Sequence, residues 1–179
     1  MKITITGKHG AGKTSVAKIL AEKLNLKFYH TGQMMRDIAK ERKISLLEIC
    51  ELAKTDISID KEIDEKVISI GEKEDDFIFD SKIAFQFIPD SIKIFLDIDS
   101  EIAAQRIFAH KREDEKENKS LELTQKNIKK RLELEGRWKK IYNVDYHDKN
   151  NYDIIINTSN LTIGETAEKI LKKLENATI

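Results

Sequence analysis

The sequence predicts a three-layer α/β/α fold built on a five-stranded parallel sheet. Three observations carry the prediction: five short strand-like segments, the last three apolar and bounded by Asp, Asn or Ser, amphipathic stretches between them at three-and-four spacing, and a glycine-bearing loop where the first strand meets the first helix. Strands that are apolar throughout belong to a sheet covered on both faces by helices. The 179 residues suit one domain, and a 40% hydrophobic fraction supplies a core without metal or disulfide staples, because a chain of this size buries roughly 70% of its extended surface.

The first strand is expected at Lys2 to Thr6, where Ile3 and Ile5 alternate, and the first helix presents Val16, Ile19, Leu20 and Leu24 on one face. Lys27 to His30 reads as a second strand. Gln33 to Arg42, Ser45 to Lys54 and Ile59 to Gly71 read as three helices, the middle one opened by a Ser45/Glu48 capping box. After the acidic turn Glu72 to Asp76, the run Phe77 to Phe79, ending in Asp80, reads as a buried strand. Ile92 to Ile98 and Tyr152 to Ile156 are the remaining strands. Between them the sequence predicts a helix at Glu101 to Ala109, a polar stretch from His110 to Ser120 and one helix from about Leu123 to Tyr142; a last helix spans Ile163 to Leu174. No repeat or Pro/Gly/Ser-rich linker interrupts the chain, and Pro89 is its single proline.

Lys and Arg number 32, as do Asp and Glu. A balanced total argues against holding nucleic acid by an overall positive field, leaving only a local basic patch open. One cysteine excludes a disulfide framework and a multi-cysteine zinc site. With no apolar run of signal-peptide or membrane length, a cytoplasmic protein without membrane or nucleic-acid partners is expected. Only six of the basic residues are arginine: Arg36, Arg42, Arg106, Arg112, Arg131 and Arg137. Where lysine is the generic cation, a retained arginine points to a need for the flat, always-charged fork.

Gly7-Lys8-His9-Gly10-Ala11-Gly12-Lys13-Thr14 satisfies G-x-x-x-x-G-K-[ST] between a strand and a helix, the context this P-loop motif requires. The glycines let successive N–H groups turn toward phosphate oxygens, and the helix start adds its positive dipole end. These eight residues and Ser15 are the expected triphosphate binders, with Lys13 on the outer phosphates and the Thr14 hydroxyl on Mg²⁺. A plain strand-to-helix turn would need neither the lysine nor the threonine. A switch GTPase is disfavoured, because Asn118-Lys119-Ser120-Leu121 fails N-K-x-D at its acidic position and no D-x-x-G occurs. Remodelling ATPases are usually larger and carry assembly surfaces, so the size favours a small kinase.

Thr31-Gly32-Gln33-Met34-Met35-Arg36 follows the second strand and opens a helix. A strand followed by [ST]-G-x-x-x-R, some twenty residues after the P-loop helix, resembles the monophosphate-binding segment of nucleoside monophosphate kinases. Ala39 to Glu48, Asp60 to Glu65, Arg137 to Asp145 and Tyr152 to Ser159 resemble the archaeal-type cytidylate kinases in particular, in that family's order and across essentially the whole chain. The resemblance implies a helical acceptor-binding insert at about 31–75, a lid at about 110–140, and transfer of the ATP γ-phosphate to CMP or dCMP with Mg²⁺.

Residue by residue, the resemblance places Thr31, Gly32 and Arg36 at the acceptor phosphate, where Arg36 can clamp bidentately. It places Asp80 on the Mg²⁺ shell through water, Lys82 beside the acceptor, Arg106 near the nucleotide base, and Arg131 and Arg137 at the phosphates in a catalytic role with Lys13. A surface role is the competing reading for each arginine, and the expected one for Arg42. Asp60 and Asp64, one turn apart, are expected either to accept from a cytosine amino group or to line a solvated face. Two departures from the family stand out: Lys82 where it carries arginine, and Val67 where glutamine is expected. The lid register leaves Lys130 or Arg131, and His110 or Arg112, open. Cys50 is expected in the core with Leu46, Ile49 and Ala53; His30, His110 and His147 have no metal-spaced partners; and Trp138 is expected to pack rather than carry a base. A monomer is expected. The alternatives are a related kinase for AMP, UMP or another small acceptor, or a regulatory or ribosome-associated P-loop ATPase.

Overall fold

A computed structural model describes residues 1–110 and 118–177. The elements run β1 (Lys2–Gly7), α1 (Lys13–Leu24), β2 (Lys27–His30), α2 (Thr31–Glu41), α3 (Leu46–Leu52), α4 (Ile57–Lys73), β3 (Phe77–Asp80), α5 (Ala84–Phe87), β4 (Ile92–Asp97), α6 (Ser100–Ala109), α7 (Leu121–Glu135), α8 (Arg137–Tyr142), β5 (Ile154–Asn157) and α9 (Ile163–Ala177). The five strands form one sheet in the order β2-β3-β1-β4-β5, and every pairing is parallel. The expected three-layer fold is the one observed.

Strand alternation divides the core between the two faces. Ile3, Ile5, Ile78, Ile94 and Leu96 point to the face covered by α1 and α9, where Val16, Leu20, Ala167 and Ile170 are fully buried. Phe77 and Phe79 point the other way, into a second cluster with Ile38, Ile49, Ile59, Ile63 and Val67 of α2, α3 and α4. Phe95 joins Phe85, Val144, Tyr146 and Tyr152 in a third cluster on that face. Val67 is therefore core, which explains an apolar residue where a polar one is expected. Thr4 and Thr6 also lie on this face; their hydroxyls meet Ser91 Oγ and the Ser81 carbonyl, each at 3.0 Å, so burial leaves neither unsatisfied.

The Ser45/Glu48 capping box is present, and Cys50 is half-buried against the second cluster. Two elements differ from expectation. The helix predicted from Leu123 to Tyr142 is broken at Gly136, which ends α7 and starts α8. Glycine carries the weakest helical preference short of proline, so the turn falls there. Helix α5 was not anticipated; it holds four residues, and the Ser81 hydroxyl accepts from the Ala84 N–H at 3.2 Å ahead of it. No helix among the described residues is long and apolar enough to cross a membrane.

Candidate active site

The carboxyl ends of β1, β2, β3 and β4 lie side by side, and the candidate residues gather there. The backbone sets the course of the loop after β1: Lys8 N–H donates to the Leu96 carbonyl at 3.0 Å, and Gly10 and Gly12 adopt φ of 78° and 83°. At Gly10 a Cβ would stand 2.8 Å from the Ala103 carbonyl oxygen, so conformation and space both demand glycine. The Lys8 ammonium pairs with Asp97 at 2.7 Å, anchoring the loop's first arm to β4. Lys149 takes the other oxygen of Asp97 at 2.7 Å. Burial alone would raise this carboxyl, but its bonds to Lys149 and Lys8 win and bring it to about 2. Ser15 lies exposed on the first turn of α1.

Lys13 folds back so that its ammonium donates to the Lys8 carbonyl at 2.9 Å. The surrounding loop desolvates it, and the like charge of Lys82 adds to this, so its pKa falls to about 7. A lysine kept there is poised to gain a proton when an anion arrives. The Thr14 hydroxyl donates to Asp80 Oδ2 at 2.6 Å, and His30 Nε2 lies 3.4 Å from the same oxygen. Asp80 is 2% exposed. One hydroxyl and one carboxylate are hard oxygen donors, and among the described residues no three His, Cys, Asp or Glu side chains gather as a ligand set. That donor set fits Mg²⁺, which keeps water and phosphate oxygens as most of its ligands.

Of the residues expected at the acceptor, Thr31 and Gly32 open α2 directly from β2, and Arg36 Nη1 donates to the Gly32 carbonyl at 3.0 Å. The Thr31 hydroxyl donates to the main-chain oxygen of Asp80 at 3.4 Å. Thr14, Lys18, Phe28, His30, Gln33 and Arg36 line one cleft of about 630 Å³ between α1 and α2. Asp60 and Asp64 are 5% and 9% exposed, which rules out a solvated face. Tyr142 of α8 donates its hydroxyl to Asp64; burial pushes that carboxyl up to about 6, the Tyr142 bond opposing and Asp60 adding to the rise.

The residues expected on a lid part company. Lys130 Nζ lies 3.3 Å from Glu51 of α3, whereas the charge of Arg131 acts on His9, Lys13 and Lys82. Arg131 is therefore the residue of this pair that faces the phosphate loop. Arg112 lies outside the described residues, as does the side chain of Arg137, whose backbone opens α8. Arg106 directs Nη2 at the carbonyls of Thr158, Ser159 and Leu161 at 2.8, 3.2 and 3.0 Å. Its edge ties down the loop after β5.

Lys82 goes to the phosphate loop and does not join the cleft of Arg36. Its ammonium donates to the Gly7 carbonyl at 3.0 Å and sits 4.6 Å from the centre of the Tyr146 ring. Burial lowers its pKa, and Arg131 lowers it further against the pull of Glu135. Sequence reasoning did not anticipate Glu135, Tyr142 or Tyr146. Glu135 had one available signal, its position four residues after Arg131; the tyrosines had none. His9 was expected to contribute as a loop residue, yet its ring is buried and meets Glu135 Oε1 at 3.0 Å. Burial and the charge of Lys82 hold this imidazole at about 3, so at neutral pH the contact is a hydrogen bond from an uncharged ring.

A phosphate loop on a parallel sheet of this order, with an arginine-bearing helix opposite, defines a P-loop nucleoside-triphosphate-binding protein of the small-kinase type. The chain belongs to the cytidylate kinase-like family, which it matches over residues 2–160. It is 32% identical over 176 residues to the cytidylate kinase of Methanobrevibacter smithii, covering 98% of this chain and 99% of that one. Identity with the Sulfolobus acidocaldarius cytidylate kinase is 35% over 176 residues, covering 96% and 92%. Shikimate kinase from Bacteroides thetaiotaomicron shares the fold at a TM-score of 0.67 and 15% identity, covering 98% of each chain.

Proposed function

We propose that the protein transfers the γ-phosphoryl group of Mg·ATP to CMP or dCMP. The observation that carries the reading is the position of Asp80 between two half-sites: its carboxylate receives Thr14 of the phosphate loop at 2.6 Å, and its main-chain oxygen receives Thr31 of the acceptor helix at 3.4 Å. Family membership supplies the acceptor, and the buried Asp60 and Asp64 supply carboxylate oxygens for an exocyclic amino group.

In this reading the residues from Gly7 to Ser15 bind the triphosphate, and Lys13 neutralises its outer oxygens. Thr14, with Asp80 through water, would hold Mg²⁺, which when bound spreads the charge of the β- and γ-phosphates. Arg36 leaves the Gly32 carbonyl to clamp the acceptor phosphate, placed by Thr31 and Gly32. An oxygen of that phosphate attacks the γ-phosphorus in line, the bond to the bridging oxygen breaks, and ADP departs with the electron pair. Arg131 and Arg137 stabilise the charge on the moving group from the lid. Arg106 keeps its edge on the carbonyls after β5 and turns the face of its guanidinium to the nucleotide base. Lys82 supports the phosphate loop. Closure of insert and lid excludes water, which would otherwise compete as acceptor. A monomer in the cytoplasm completes the reading.

A coupled assay tests it: protein, ATP and Mg²⁺ are offered CMP, dCMP, UMP, AMP and GMP singly. Diphosphate formation confined to CMP and dCMP is expected, with Arg36→Ala raising the acceptor KM selectively. Preferred turnover of AMP or UMP would move the acceptor; ATPase activity unchanged by every acceptor would make this a P-loop ATPase instead.

A further inference from the structure

Glu135 is the last residue of α7, one turn beyond Arg131, so both side chains leave the same face of the helix. Its side chain is 13% exposed and its carboxylate fully engaged. Oε1 accepts from His9 Nε2 at 3.0 Å, Oε2 accepts from the Tyr146 hydroxyl at 2.5 Å, and the Lys82 ammonium stands 3.5 Å from Oε2. Burial alone would raise this carboxyl, yet Lys82 and His9 hold it well below the usual carboxylate range. Its charge also reaches Lys13, and Arg131 acts on the same group. The cations that a polyphosphate would meet thus already share an anion, and that anion is carried by the lid.

We propose that Glu135 is an internal counter-anion of the phosphate loop, a positioning residue that holds the lid's return helix on the loop through His9 and Lys82 and gives way to the polyphosphate of the incoming nucleotide. The proposal rests on the triphosphate-binding part of the reading above. A carboxylate this well shielded, left beside a triphosphate, would face like charges, whereas Arg131 gains from the same ligand. A small movement of α7 therefore exchanges one internal anion for an external one. The break at Gly136 allows α7 to move without carrying α8 along. His9 makes the tether specific to this chain's loop: an uncharged ring donates to Glu135 and adds no positive charge to the cradle.

Inorganic tripolyphosphate tests the exchange, since it carries neither base nor acceptor. Trp138, the only tryptophan, lies on α8 edge-on to Tyr146 at 6.0 Å; because the Tyr146 hydroxyl donates to Glu135, its fluorescence reports on release of that carboxylate. Wild type, Glu135→Gln and His9→Ala are titrated as full chains, with calorimetry alongside. Glutamine keeps the length and the acceptor for Tyr146 but removes the charge. Tripolyphosphate binding at least about five-fold tighter in Glu135→Gln is expected, the scale of relieving one buried like-charge contact; His9→Ala, with one tether lost and the charge kept, should gain about two-fold. Equal or weaker binding by Glu135→Gln overturns the proposal and makes Glu135 a structural pillar, as does the absence of binding in all three proteins. If Glu135→Gln fails to fold, His9→Ala decides alone, unchanged or weaker binding counting against. Failure of CDP formation in the coupled assay would refute the kinase reading and leave this result standing.

Discussion

Thr14 and Asp80 belong to different elements, the first turn of α1 and the last residue of β3, yet share a hydrogen bond of 2.6 Å between Oγ1 and Oδ2. The hydroxyl donates, so its oxygen keeps lone pairs for a cation. Asp80→Asn removes the charge and retains the shape. The Mg²⁺ concentration for half-maximal rate should rise about ten-fold and kcat should fall about a hundred-fold, the range for one preorganised electrostatic group. A Mg²⁺ titration with an unchanged midpoint would remove Asp80 from the metal site.

Lys13 stands at about 7 in the ligand-free protein, through burial and the neighbouring Lys82 charge. A polyphosphate beside the ammonium raises it again. At pH 8 most molecules therefore hold a neutral Lys13 and must take up a proton on binding, and affinity should fall by up to about ten-fold per pH unit above neutrality. Calorimetry of tripolyphosphate binding in two buffers of different ionisation enthalpy reads this directly. Uptake approaching one proton at pH 8 is expected, lost in Lys13→Arg; zero uptake in wild type contradicts it.

Asp64 has the opposite sense. Burial lifts its carboxyl from 3.8 to about 6, so the folded protein holds a proton that the unfolded chain releases earlier. Stability contributed by this group is present below about pH 4 and is lost as pH rises through 6, on the order of 3 kcal/mol in total. Asp64→Asn should flatten that slope, raise Tm at pH 7 and raise the acceptor KM. Thermal melts from pH 4.5 to 7.5 showing parallel slopes for both proteins would refute the assignment.

Arg106 serves three carbonyls with one nitrogen, at 2.8 to 3.2 Å. Lysine has the charge but no planar fork, so Arg106→Lys should cost about 1–3 kcal/mol of stability. The ATP KM should rise with it while the acceptor KM stays fixed. Chemical denaturation and two-substrate kinetics separate these effects, and a variant as stable as wild type would mean that the loop holds its own shape.

The strands and the phosphate loop were legible because each is a local pattern: an apolar run, a glycine spacing, a Ser45/Glu48 cap. Helices α2, α3 and α4 were legible as helices, and Arg36 as a charge on the opening turns of α2. Lys130 and Arg131 show where local pattern stops. Adjacent residues on one helix point roughly 100° apart, so only tertiary packing decides which meets Lys13 and which meets Glu51. His9 and Glu135 are 126 positions apart, and no periodicity links them. Lys82 resembled an acceptor-site cation by its place after Asp80, but the Tyr146 ring and the Gly7 carbonyl drew it under the loop. The break at Gly136 was visible as a glycine but not as a corner, because a glycine inside a helical pattern is often tolerated.

The central position of β1 bears on how the chain acquires its shape. Strand β1, made before both of its neighbours, lies between β3 and β4, pairing Thr4 with Phe79 on one side and Lys93 on the other. The phosphate loop is in turn braced on Leu96 by the Lys8 amide. A nascent chain thus carries its nucleotide-loop residues well before their template, the strand ending at Asp97, has left the ribosome. Such long-range pairing makes for slow folding, and the earliest motif in the sequence becomes one of the later parts to work.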